Sequence, residues 1–214
     1  MTSSVGLLWV TMTALVAALL WVLATERRGE WILKPAASAT FIVTALVAGG
    51  LGSTVGRILV VGLVLAAVGD VLLIPKRKAT FLAGLVAFLL GHVAYAVAFV
   101  VRGVDVPATA AAAVVLAMAA APILRWLWPH VERPMRMPVI AYIAVITAMV
   151  AVGAGTARQG GAWLLLLGAF AFYLSDIAVA RERFVKRGFV NRAWGLPLYF
   201  FAQMVLASQA GAVP

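Results

Sequence analysis

The sequence predicts an all-α membrane protein, a bundle of eight transmembrane helices in a single domain over residues 1–214, on three observations. Of its residues 65% are hydrophobic and 11% charged, too little charge to clothe a water-facing surface. The apolar residues fall in runs of about 20, the length a helix needs to cross roughly 30 Å of hydrocarbon. The basic residues crowd into alternate gaps between those runs, the arrangement that cytoplasmic loops show.

The runs are Val5–Ala24, Trp31–Gly49, Gly56–Ile74, Thr80–Val101, Val106–Leu127, Met135–Ala154, Gly161–Ala180 and Asn191–Ala212. Each is read as helix because an unpaired backbone is too unfavourable in lipid and the runs lack the alternation of barrel strands. The first is not read as a signal peptide: no basic leader precedes it, and Arg27 and Arg28 follow it. The second carries Lys34 just past Glu30, the third carries Asp70 near its end, and the fourth carries His92 and Tyr95. The fifth is rich in alanine (Ala108, Ala110–Ala113, Ala117, Ala119–Ala121), a composition suited to close packing. The sixth bears Tyr142, the seventh Ser175 and Asp176, and the eighth Tyr199 and Gln203.

Orientation follows from the cations. Arg27, Arg28, Lys34, Lys76, Arg77, Lys78, Arg125, Arg133, Arg136, Arg181, Arg183, Lys186, Arg187 and Arg192 lie in or beside the gaps after helices one, three, five and seven. Only Arg57, Arg102 and Arg158 lie on the other side, so fourteen of the 17 basic residues place the odd gaps in the cytoplasm. Eight crossings then leave both termini extracytoplasmic, in what reads as a bacterial cytoplasmic membrane. The net charge of +10 belongs to these loops, and no nucleic-acid partner is expected. There is no cysteine, which excludes disulfides and thiol catalysis, and with only His92 and His130 no multi-histidine zinc site can be built.

Ionisable groups inside a membrane helix are unfavourable to insert, so their positions are informative. Asp70 lies six residues before Lys76 and Asp176 five before Arg181, which puts both about 8–9 Å inside the cytoplasmic boundary. Lys34 enters from the same side. His92, about 20 Å from that boundary, is expected deeper, with Tyr95, Tyr142, Tyr199 and Gln203 in the same half of the bundle. Singly, each has a structural explanation: lysines snorkel, buried carboxylates pair with arginine, tyrosines mark the interface. One base, two acids, a histidine and several hydroxyls converging from six helices are poorly explained that way.

These residues also carry a likeness. Lys34-Pro35, Gly69-Asp70-Val71-Leu72-Leu73, Phe81-x-x-Gly84 leading to Gly91-His92-x-x-Tyr95, Ser175-Asp176 and Pro197-x-Tyr199-x-x-x-Gln203 resemble, in order and spacing, the YhhN-type lysoplasmalogenase family of eight-helix membrane hydrolases. The resemblance implies hydrolysis of the vinyl-ether bond of a lysoplasmalogen to a fatty aldehyde and a glycerophospho-base. It implies a lysophospholipid substrate and the lipid bilayer as the partners, leaves the oligomeric state open, and calls for no metal, nucleotide or redox cofactor.

That chemistry suits the residues. Proton transfer to the β-carbon gives an oxocarbenium ion that water attacks, so one carboxyl must deliver a proton and another must stabilise the cation, as in glycoside hydrolysis. Asp70 and Asp176 are expected to divide those roles, with Lys34 beside one of them and His92 orienting the acids or water. Tyr95, Tyr142, Ser175, Arg192, Tyr199 and Gln203 are the expected substrate-binding residues. The alkenyl tail is expected among helices four and eight, near Phe88 and Phe200, and the phosphate near Arg181, Arg183, Lys186, Arg187 and Arg192. Two other classes remain open at this point: a proton-coupled transporter using the same acids as a relay, and a non-catalytic lipid-binding protein.

Overall fold

The computed structural model describes residues 3–75 and 77–212; Lys76 and Pro214 lie outside the described residues. It consists of eight α-helices: α1 (Ser3–Ala24), α2 (Glu30–Val47), α3 (Thr54–Leu72), α4 (Lys78–Arg102), α5 (Val106–Leu127), α6 (Arg133–Gly160), α7 (Trp163–Ala180) and α8 (Phe189–Ser208). A short 3₁₀ turn follows α5 and a π-helical turn, Arg181–Val185, extends α7. The expected order is found, with shifted ends. α2 stops at Val47 because Gly49, at φ 92°, turns the chain. α6 runs on to Gly160, where Gly161 takes the left-handed conformation (φ 67°) of a C-terminal cap.

Seven of these helices are long and apolar enough to cross a membrane. The exception is α8, where Asn191, Arg192 and Gln203 dilute the apolar residues. Large side chains such as Leu7, Ile32, Met118 and Met137 face outward, as expected where the surrounding solvent is lipid. The chain is an integral membrane protein.

Seven helices form a closed ring: α1 packs on α2 and α8, and the contacts run α2–α3, α3–α4, α4–α6, α6–α7 and α7–α8. α5 stands outside, held mainly by α6. Its first turn is capped by Asp105, whose carboxylate accepts from the Ala108 N–H at 2.8 Å, and Thr109 closes on Gly155 of α6. The close packing expected of its alanines is not found, since only Ala120 and Leu127 are buried. A lipid-facing alanine surface needs no partner.

The tightest pair is α3 with α4. Gly62 lies against the ring of Tyr95 and Gly69 against Phe88, with Gly84 and Gly91 meeting α3 in the same antiparallel register. A Cβ on Gly69 would stand 2.6 Å from the Phe88 ring, so a side chain there forces the helices apart. Gly69→Ala should therefore lower stability by about 1–3 kcal/mol. Gly6→Ala, on α1 with open space around it, should not. Thermal melting of both variants in detergent checks this, and equal melting points would contradict the close approach. The interlock sets the register of Asp70 on α3 and His92 on α4.

The basic gaps gather at one end. Lys78 pairs with Glu132 at 3.3 Å, joining the gaps after α3 and α5. A vestibule of about 780 Å³ is lined by Arg27 from the gap after α1, Glu30 at the start of α2, Pro75 from the gap after α3, and Glu182, Arg183 and Arg187 from the gap after α7.

Candidate active site

Beneath that vestibule lies a cavity of about 260 Å³. Two aspartates face it, each with its own set of partners.

The first is Asp70, 1% exposed near the end of α3. Lys34 and Ser38, four residues apart on α2 and so on one face, both reach it. The Lys34 Nζ stands 3.2 Å from Oδ1 and also donates to the Asp70 backbone carbonyl at 3.1 Å. The Ser38 hydroxyl and the Tyr199 hydroxyl each lie 2.7 Å from Oδ2 and donate to it. Both oxygens of Asp70 are thus committed as acceptors, one to a cation and one to two hydroxyls, the bonding of a carboxylate.

The second is Asp176 on α7. Its Oδ2 accepts from the Tyr142 hydroxyl at 2.9 Å and faces His92 Nε2 at 3.5 Å. No lysine or arginine pairs with it among the described residues, and its side chain keeps 17% accessibility toward the cavity. The His92 ring is fixed by its other nitrogen. Nδ1 lies 2.6 Å from the carbonyl oxygen of Phe88, which can only accept, so Nδ1 carries a proton and, in the neutral ring, Nε2 turns a lone pair toward Asp176. Phe172 packs against a partner of each carboxyl, its ring 4.3 Å from that of His92 and 5.3 Å from that of Tyr199.

On the side of α4, α5 and α6 the cavity is apolar, walled by Leu85 and Phe88 of α4, Ile123 and Leu127 of α5, and Val139 and Ile143 of α6. Where it meets the vestibule it is lined by Glu30, Glu182, Arg183 and Arg192. The profile of the YhhN family matches residues 29–210, nearly the whole of this bundle and every residue named in the site. The chain belongs to the YhhN family.

Among curated proteins, this YhhN chain is similar to lysoplasmalogenases of Mycobacterium bovis and Mycobacterium tuberculosis. Each is 34% identical over 184 residues, covering 82% of this chain and 68% of the relative. It is also similar to the bovine lysoplasmalogenase TMEM86A, 30% identical over 156 residues, covering 70% of this chain and 63% of that protein. No solved structure matches.

Within the YhhN fold the expected site residues separate into three groups. Lys34, Asp70, Tyr142, Ser175, Asp176, Arg192 and Tyr199 line the cavity. His92 does not line it but stands behind Asp176. Tyr95 and Gln203 bond to each other at 2.8 Å, fully buried behind the Gly62 contact, and do not line the cavity. The Ser175 hydroxyl turns back to the Phe172 carbonyl at 2.7 Å, steadying α7 beside Asp176.

Two expectations are corrected. His92 is level with the carboxyls and not beyond them. Side chains lean toward the helix N-terminus, and on α4 that direction brings the ring back toward the layer of Asp176. Phe200 is fully buried against Phe41 and Tyr199 and leaves the apolar branch to α4, α5 and α6. Lys34, expected beside one of the two acids, stands beside Asp70: its side chain is 9% exposed and its ammonium turns inward to that carboxylate.

Three contributors were not read from the sequence. Ser38 was signalled only by its place one turn after Lys34. Phe172 has no polar signature at all. Glu182, an acid among arginines, is held by Asn191 at 2.7 Å, the Gly188 N–H at 2.8 Å and Arg192 at 3.3 Å.

Proposed function

We propose that this protein is a lysoplasmalogenase-like hydrolase that cleaves the vinyl-ether bond of a single-chain ether phospholipid, giving a fatty aldehyde and a glycerophospho-base. The observation that carries the reading is a pair of carboxyls with opposite bonding on one cavity, apolar on one side and charged on the other. The relatives named lysoplasmalogenase support it.

Asp176 is the proton donor. Nε2 of His92 and a carboxylate oxygen would face each other as two acceptors, an arrangement relieved by a proton on Asp176. That proton passes to the β-carbon of the vinyl ether, and the electrons of the C=C bond form the new C–H bond. The cation left on the ether carbon is stabilised by the Asp70 carboxylate, which Lys34, Ser38 and Tyr199 hold in place. Water adds to that carbon, losing a proton to the carboxylates, and the hemiacetal breaks its C–O bond to release aldehyde and glycerol hydroxyl. Each step balances with one water consumed.

The tail lies in the branch lined by Leu85, Ile123, Leu127 and Val139, and the phosphate at the arginine-lined mouth. Against a proton relay, the other half of the bundle is filled by Leu59, Leu63, Phe99, Met149, Leu165 and Met204, all fully buried. A path open at one end suits an enzyme.

In nanodiscs the purified protein should release aldehyde from an alkenyl lysophospholipid and none from its saturated ether analogue. In D₂O, one deuterium should enter the carbon next to the aldehyde. Absence of aldehyde, together with proton flux in liposomes, would sink the hydrolase reading. We further read the single domain as crossing a bacterial cytoplasmic membrane eight times, α8 included, with both termini outside. Reporters fused at Ala79 and Arg133 should then be cytoplasmic, and one at Pro214 extracytoplasmic; a cytoplasmic C-terminus would overturn this topology.

A further inference from the structure

The neck between cavity and vestibule is built from four charged side chains, and three of them are occupied. Glu182 accepts from Asn191, from the Gly188 N–H and from Arg192. Arg192 is paired through that contact. Arg183 lies over the ring of Phe81, 4.1 Å from its centroid. The fourth, Glu30, lines both spaces and has no ion-pair or hydrogen-bond partner for its carboxylate among the described residues. It stands four residues before Lys34 on α2, one turn or about 6 Å toward the vestibule from the Lys34–Asp70 pair.

We propose that Glu30 is the ammonium subsite of a headgroup clamp, selecting single-chain phospholipids whose headgroup carries an amine. A lipid threaded tail-first places its ether bond between the carboxyls, its glycerophosphate along the turn from Lys34 to Glu30, and its phosphate against Arg192 and Arg183. The amine then meets Glu30, the one acid lining both spaces that has no partner among the described residues; Glu26, likewise without one, lines the vestibule alone. In a mouth otherwise rich in arginine, a free carboxylate repels a phosphate and attracts only a cation attached beyond it. A solely structural role, an acid in the first turn favoured by the helix dipole, would act on stability and be blind to the headgroup.

This inference rests on the hydrolase reading of the same cavity, and its test separates the two. Wild type and Glu30→Gln are compared on two vinyl-ether lysolipids, one with an ethanolamine headgroup and one ending in phosphate alone. In parallel, binding of the uncleavable saturated-ether analogues of both is measured. The wild type should favour the amine lipid, and Glu30→Gln should reduce that preference about tenfold, through KM and not kcat, with Glu30→Asp retaining part of it. The saturated analogues should show the same loss in Kd. An unchanged ratio between headgroups in the binding assay overturns the clamp, whatever the turnover. If wild type produces no aldehyde from either lipid, the hydrolase reading falls while the binding ratio still decides the clamp.

Discussion

Replacing Asp176 with asparagine should reduce turnover about 10³-fold while the melting temperature stays close to that of the wild type. Asp176 has no cationic partner among the described residues, and its strongest contact is the Tyr142 hydroxyl at 2.9 Å, which an asparagine carbonyl can still accept. Removal of the acidic proton therefore leaves the local bonding nearly intact and takes away only the chemistry. Tyr142→Phe, which frees the same oxygen without removing the acid, should lower turnover by a smaller factor. Full turnover in a well-folded Asp176→Asn protein would mean that the proton comes from elsewhere.

The second large effect is on stability and concerns Lys34 and Asp70. Asp70→Leu leaves an ammonium buried at 9% side-chain exposure without its carboxylate, and breaking a buried pair in this way typically costs about 3–5 kcal/mol. Lys34→Met alone leaves a carboxylate with only two hydroxyl donors and should be destabilising as well. The double variant removes both charges and should recover most of the lost stability, since an apolar pair of similar volume is often neutral. It should remain inactive, because the group that stabilises the cation is gone. Melting curves and aldehyde assays on the three variants form a cycle that separates the structural role of the pair from its chemical one. If the double variant is as unstable as the sum of the singles, the two side chains do not act as a pair.

Much of this site is legible in the sequence because charge inside a membrane helix is so unfavourable. Asp70, Asp176 and Lys34 stood out against apolar runs, and their depth could be counted in residues. Pairing could not be counted. Lys34 had two candidate acids at the same depth, and the choice depends on which helices adjoin, α2 beside α3, which no spacing in the sequence encodes. His92 was misplaced in depth because a residue count follows the backbone, whereas the imidazole leans back along α4 to its own Phe88 carbonyl. Phe172, which packs against a partner of each acid, and Ser38, which holds one of them, use residue types so ordinary in a membrane helix that nothing marks them. The alanines of α5 misled in the opposite sense. Small residues permit close approach, but they do not require it.

The bond from Lys34 to the Asp70 carboxylate and backbone bears on how the chain enters the bilayer at all. A lone lysine or aspartate is disfavoured by about 2.5–3.5 kcal/mol at the centre of an inserting helix and by less toward its ends, where Lys34 and Asp70 lie. α2 is the least apolar of the seven helices able to span, so it can ill bear that burden alone. α3 follows it after a connection of six residues, short enough for the two to meet as an antiparallel hairpin. Once they meet, ammonium and carboxylate neutralise each other and the last turn of α3 gains a donor for a carbonyl. The pair of helices is therefore easier to partition into lipid together than one after the other, so the buried charges of the active site also favour insertion as a unit.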